Sequence, residues 1–183
     1  LAEADLIAVS AHKLYGPKGI GALWVRDGVK LASTSTGGGQ EGALRSGTLS
    51  PALCAGFGAA AALAAERIAA DGAHLAALFA RAREFFAGWE LNGSVEQRWP
   101  GNLNLRLPGL DVARLMSDCR DIAFSAGSAC ASGSGRPSHV LRAIGLDAAA
   151  AKSSIRLGMG RYTTQSMLEE AAERLIHAAT QQG

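Results

Sequence analysis

The chain has 183 residues, 48% hydrophobic and 19% charged, which is enough apolar material for a buried core and rules out a disordered or fibrous chain. Eighteen Lys and Arg against sixteen Asp and Glu leave a net charge of +2, with the basic residues scattered. That balance argues against nucleic acid and against an anionic membrane surface as partners.

No stretch reads as a membrane span. The most apolar run, Ala52–Ala65, is short for that purpose and rich in Ala and Gly rather than Leu. The opening LAEADLIAVS lacks a basic segment followed by an apolar one, so no signal peptide is read there. Three widely spaced cysteines, Cys54, Cys119 and Cys130, argue against a disulfide framework and for a reducing compartment, with the cytoplasm expected. The chain starts on Leu1 and runs directly into a strand pattern, which points to a partial chain.

Taken in order, Asp5–Ser10 predicts a strand, Tyr15–Gly21 a turn and Ile20–Val25 a second strand. Residues from Gly37 to Thr48 read as irregular. Ser50 and Pro51 then provide an N-cap and a first helical position. The helix that follows, to about Ala70, is apolar nearly all round and is expected to be sandwiched between other elements. A composition shift at Asp71-Gly72 marks a candidate boundary between residues 1–70 and 71–183.

Beyond it, Leu75, Leu78, Phe79, Ala82 and Phe86 have helical spacing up to Gly88. Leu103, Leu105 and Leu107 alternate with Asn102, Asn104 and Arg106, predicting a half-buried strand with one polar face. Val112, Leu115, Met116 and Cys119 predict a short helix capped by Asp111. Ile122–Phe124 reads as a strand entering the small-residue stretch Ser125–Gly135. Pro137–Ile144 reads as a helix stopped by Gly145. Ser154–Leu157 alternates as a strand. Thr164–Ala179 predicts a closing helix with Met167, Leu168, Ala171, Leu175 and Ile176 inward. Strands and helices alternate throughout, an α/β pattern.

Chemistry concentrates at few places. In Ser10-Ala11-His12-Lys13 a hydroxyl and an imidazole, both able to bind a phosphate oxygen, immediately precede an amine. Gly16, Pro17, Gly19 and Gly21 follow and allow a tight turn and close approach to a ligand. The run GPKGIG lacks the spacing and ending of a nucleotide-binding P-loop. A lysine beside a phosphate site and partly desolvated has the lowered amine pKa that suits covalent attachment to a carbonyl. Taken alone, a lysine in this position is more often a solvated charge. Among the cysteines, Cys119 shares helical spacing with Val112, Leu115 and Met116, and Cys54 with Phe57, Gly58 and Ala61, so both read as core thiols. Cys130 lies in GSACASGSG, with almost nothing to anchor it in a core, and is the candidate reactive thiol. His74, His139 and His177 show no metal-ligand spacing.

Four segments together carry a family resemblance. SAHKLYGPKGIGALWVR resembles the lysine segment of the cysteine desulfurases, a group of pyridoxal-phosphate (PLP) enzymes within the class V aminotransferases. GGGQEGALRSGT resembles their glycine-rich segment, SAGSACASGSGRPSHVLRAIGL their persulfide-cysteine loop, and SSIRLGMGRYTT their substrate-carboxylate segment. The resemblance runs from Ser10 to Thr164 and implies the C-terminal part of a PLP fold type I large domain followed by the smaller α/β C-terminal domain.

By that resemblance, Lys13 links to PLP, Ser10 and His12 bind its phosphate, and Thr48 binds the phosphate of the partner subunit's cofactor in a homodimer. Cys130 is the nucleophile, Arg156 pairs with the substrate carboxylate, and Asn104 lies near the substrate, although strand hydrogen bonding explains Asn104 equally well. The implied reaction takes sulfur from L-cysteine, leaving L-alanine and a Cys130 persulfide for an acceptor in iron–sulfur assembly or thiolation. The length of the cysteine segment resembles the iron–sulfur-assembly subgroup.

Two departures stand out. Gly42 and Ala43 replace a common arginine and glycine, and the family's other PLP contacts precede the lysine and are not in these residues, so the chain alone is expected to be inactive. The competing readings are a selenocysteine lyase, an aminotransferase, and a non-catalytic dimerisation or docking module.

Overall fold

A computed structural model describes residues 3–127 and 138–182. The chain forms two units, dividing between Ile68 and Ala69. In the first, β1 (Leu6–Ser10) pairs antiparallel with β2 (Gly21–Val25), Leu6 opposite Val25 and Ser10 opposite Gly21. A three-residue 3-10 turn, Ala11–Lys13, follows β1 directly. Its first residue, Ala11, is fully buried, because its N–H donates to Ile20 O (3.1 Å) and its carbonyl accepts from Leu14 and Gly16.

The glycines of this unit serve the chain's own packing. A Cβ on Gly21 would stand 2.6 Å from Val9 O, and one on Gly16 would stand 3.0 Å from Ala11 O and 3.1 Å from Ala60 Cβ. The sequence suggested glycines kept small for a ligand. At Gly16 and Gly21 the close neighbour is the protein's own backbone.

The long helix α1 (Pro51–Phe85) runs through the division between the units. The predicted end near Ala70 is therefore corrected: the helix continues for another fifteen residues through Asp71-Gly72. A glycine inside a helix costs only about 1 kcal/mol, too little to stop one that is anchored elsewhere. The anchor is Asp71 itself, whose carboxylate accepts from Arg161 Nε at 2.8 Å and is paired with its NH2 group at 2.7 Å. Both side chains are largely buried, and His74 Nε2 lies 2.9 Å from Thr163 O one turn further on.

The expectation that the first half of α1 is sandwiched is also corrected. Within this chain the first half presents one face, Leu53, Gly56 and Ala60, to the 16–20 turn: Pro17 meets Gly56, Leu53 lies by Gly19, and Ala60 lies by Gly16. Leu63 and Ile68 are exposed. By length and composition alone α1 is long and apolar enough to cross a membrane, as core helices of soluble proteins also can be.

The second unit is built on a four-stranded antiparallel sheet. Its order is β3 (Glu90–Leu91), β4 (Asn102–Arg106), β6 (Ser154–Gly158) and β5 (Ser125–Ala126). In the β4–β6 register Leu103 faces Leu157 and Leu105 faces Ile155, so four apolar side chains lie on one face. All four are buried, in one core with Leu75, Leu78 and Ala82 of α1, Phe86 directly after it, and Leu115 of α2 (Val112–Asp118). Leu168, Ala172 and Leu175 of α5 (Gln165–Thr180) complete it. Each such side chain contributes on the order of 1.5–3 kcal/mol when taken from water. Met167, expected inward, is 60% exposed, and the buried stripe of α5 runs through Leu168, Ala172, Leu175 and Ala179 instead.

The cap predicted at Asp111 is in place, accepting from Arg114 N, and Thr164, read as the first residue of the closing helix, is instead its cap, accepting from Met167 N. Two short helices, α3 (His139–Ala143) and α4 (Ala148–Lys152), precede β6. Gly145, with φ of 97°, ends the α3 segment. The strand expected at Ile122–Phe124 is displaced to Ser125–Ala126, where backbone pairing with β6 becomes available.

Adding one methyl group tests the hairpin packing. Gly21→Ala should destabilise the protein by about 1–3 kcal/mol, as overpacking against fixed backbone does, read as a lower urea midpoint. Gly58→Ala, with nothing within 4 Å of the added carbon, should not.

Candidate active site

In the first unit, Ser10 ends β1 and His12 and Lys13 complete the turn, so hydroxyl, imidazole and amine fall within four residues. The β1–β2 pairing and the buried Ala11 hold this segment, while Ser10, His12 and Lys13 themselves are exposed. The partial desolvation of Lys13 expected from sequence is not supplied by this unit. A hydroxyl and an imidazole able to bind phosphate, beside a primary amine able to join a carbonyl, fit PLP in kind.

Thr48 is also exposed, at the end of a loop that closes on itself. Ser46 N–H donates to Ser35 Oγ at 2.9 Å, Gly47 N–H to Gln40 Oε1 at 2.9 Å, and Ser33 Oγ to Leu44 O at 3.2 Å. Ala43 in this loop has φ of 63°, the left-handed region where a residue with Cβ is strained, and it stands where the resemblance has glycine.

In the second unit, the sheet face opposite the core carries a row of polar residues. Asn104 is the register partner of Arg156, and Arg156 in turn is the partner of Ser125. Strand alternation predicts this placement for Arg156, between buried Ile155 and Leu157. Arg156 is half-buried and makes no ion pair among the described residues. A guanidinium is suited to gripping a carboxylate through two parallel bonds, and whereas Arg106 on the same face is paired with Glu90, Arg156 is left open to one.

Asn104, expected on a polar face, is 8% exposed. Its Oδ1 accepts from Asn92 Nδ2 at 2.7 Å and its Nδ2 donates to Gly127 O at 3.0 Å. Asn92 and Ser154, which share this network, escaped the sequence reading. The available signal was a polar residue at alternate positions with an apolar strand, which does not distinguish a wet face from a buried one.

Cys130 lies outside the described residues, as does Pro137. The other two cysteines separate sharply. Cys119 is 3% exposed, its Sγ lies 4.0 Å from Arg174 O, and burial pushes its thiol pKa up. Cys54 is exposed, which corrects its reading as a core thiol. Leu53, Gly56 and Ala60 occupy the contacting face of α1, and one residue further along the helix turns Cys54 away from it.

Residues 2–170 match the family described as aminotransferase class-V. The chain is 45% identical over 178 residues to the cysteine desulfurase IscS of Shewanella woodyi, covering 94% of this chain and 44% of that protein. It is 47% identical over 170 residues to a mitochondrial cysteine desulfurase of Eremothecium gossypii, covering 90% and 35%. Among solved structures, a NifS-like protein superposes with a TM-score of 0.86 at 27% identity, covering 97% of this chain and 47% of that one. The chain thus spans less than half the length of these relatives.

The two described thiols should differ in reactivity. Iodoacetamide at neutral pH should label Cys54 in the folded protein and Cys119 only on denaturation, by peptide mass analysis, since the reactive thiolate is disfavoured where burial raises the pKa.

Proposed function

Because the chain belongs to the aminotransferase class-V family, we propose that it serves a PLP-dependent cysteine desulfurase. The observation that carries this reading is Arg156, held in mid-strand on the polar row with no acidic partner among the described residues. The family match and the Ser10-His12-Lys13 donor set support it from the other unit.

In this reading Lys13 Nζ holds PLP covalently, and the Ser10 hydroxyl and His12 imidazole bind its phosphate. Thr48 binds the phosphate of the cofactor held by the partner subunit, making the working form a homodimer. Residues 1–70 belong to the cofactor-binding large domain and 71–183 to the small domain. PLP, when bound, stabilises negative charge at the substrate's α-carbon and so opens chemistry at the neighbouring carbon.

Arg156 grips the carboxylate of L-cysteine and fixes its orientation. Lys13, once free, moves the proton at Cα. The Cys130 thiolate attacks the substrate sulfur. An S–S bond forms, the Cβ–S bond breaks, and the carbon keeps the electron pair and takes a proton, giving L-alanine and a Cys130 persulfide. The terminal sulfur of that persulfide then passes to an acceptor protein of the iron–sulfur scaffold or thiolation type. The names of the bacterial and mitochondrial relatives support the reaction, and both kinds of location remain compatible with it.

Two substitutions in the full-length gene product test the reading. Cys130→Ala should abolish alanine formation from L-cysteine while leaving the Lys13-dependent visible absorbance with added PLP, and unchanged turnover would sink the desulfurase assignment. Arg156→Ala should lower kcat/KM by about ten- to hundredfold, the scale of charge-assisted hydrogen bonds lost to a carboxylate.

A further inference from the structure

Four polar side chains are buried among the described residues: Asn92, Asn104, Ser138 and Ser154. Buried polar groups are costly unless paired, so their pairing shows what they hold in place. Three form one network. Asn92 Nδ2 donates to Asn104 Oδ1 (2.7 Å) and to Ser154 Oγ (3.0 Å), and Ser154 Oγ donates to Ala150 O at 2.7 Å. Asn104 Nδ2 donates to Gly127 O at 3.0 Å, and Gly127 N–H donates to Ser154 O at 2.8 Å. Gly127 is thus bonded through both its backbone groups to members of one network.

Space is equally constrained there. A Cβ on Gly127 would stand 2.7 Å from Leu141 Cδ1, 3.4 Å from Ala151 O and 3.5 Å from Ser154 Cβ. The fourth residue, Ser138, caps α3 by accepting from Leu141 N. Leu141 therefore joins the two: its backbone is capped by Ser138 and its side chain closes over Gly127.

We propose that Asn104 is a positioning residue, whose buried amide fixes Gly127 at the end of β5, three residues before Cys130 in sequence and one strand from Arg156. The proposal rests on the desulfurase reading for its functional meaning and on this network for its geometry. Only an amide does what Asn104 does, because it accepts from Asn92 through one atom and donates to Gly127 through the other. A carboxylate of the same shape keeps the first bond and loses the second. The β5–β6 pairing covers only Ser125 and Ala126; beyond it Gly127 is held through its N–H by Ser154 O, and Asn104 fixes its other backbone group, the carbonyl.

The test uses the full-length gene product with Asn104→Asp, and Asn104→Ala as a variant that buries no charge. Both should lower kcat for alanine formation about tenfold, the scale of one lost buried hydrogen bond, with KM for L-cysteine within about twofold of the parent. The Lys13-dependent absorbance should not change. Independently of turnover, the alkylation rate of Cys130 relative to exposed Cys54 in the same molecule should shift by about threefold or more. Ser154→Ala keeps the Asn104–Gly127 bond and removes two others, so it should lower the melting temperature without shifting that ratio.

Parent-like kcat and alkylation ratio in both Asn104 variants would overturn the proposal and leave the desulfurase reading intact, provided Cys130→Ala is inactive. An equal shift in the ratio with Ser154→Ala would overturn it too, by showing general loosening. Full turnover by Cys130→Ala would instead remove the desulfurase reading.

Discussion

The antiparallel pairing of β4 with β6 is the constraint on which the second unit depends. Register places Leu103 opposite Leu157 and Leu105 opposite Ile155, and the two-residue period of a strand then forces Asn104 and Arg156 onto the other face together. A slip of one residue would carry the arginine into the core and the leucines out of it. The same pairing that buries apolar surface against α1, α2 and α5 therefore also sets Arg156 on the polar face beside Asn104.

The polar side of that sheet is dry in part. Asn92, Asn104 and Ser154 are buried there and bonded to one another, while Asn92 Oδ1 has no hydrogen-bond partner among the described residues. Networks of this kind specify geometry more than they add stability, since each member must be paired to avoid a penalty. Here the geometry specified is the position of Gly127, where a methyl group has no room. Stability of the unit comes from the other face.

The first unit works on different terms. Its hairpin and turn are held by close backbone approach at Gly16 and Gly21 and by one face of α1, with Ser10, His12, Lys13 and Thr48 all exposed. Chemistry-bearing groups are gathered there by chain connectivity: a strand end and a three-residue turn bring hydroxyl, imidazole and amine together with no distant residue needed. Arg156, by contrast, stands beside Asn104 and Ser125 only because strands far apart in sequence pair.

Local pattern made much of this legible. Periodicity located helical stretches in α1 and α5 and the two central strands, cap residues located the starts of α1 and α2, and four motifs pointed to the family that residues 2–170 match. What failed depended on neighbours. Nothing in the apolar run around Cys54 says which face of a helix meets another element, so an exposed thiol read as buried. The helix reads as ending near Ala70 because the partner that holds Asp71, Arg161, lies ninety residues on. Asn104 alternates with leucines whether its face is wet or dry, and only its contacts with Asn92 and Gly127 decide that it is dry. Sequence alone determined which residues are candidates for chemistry and the local conformation they prefer, because both are properties of short segments. Tertiary structure alone decided which are covered and what each touches, because burial and hydrogen-bond partners depend on chain segments far apart in sequence.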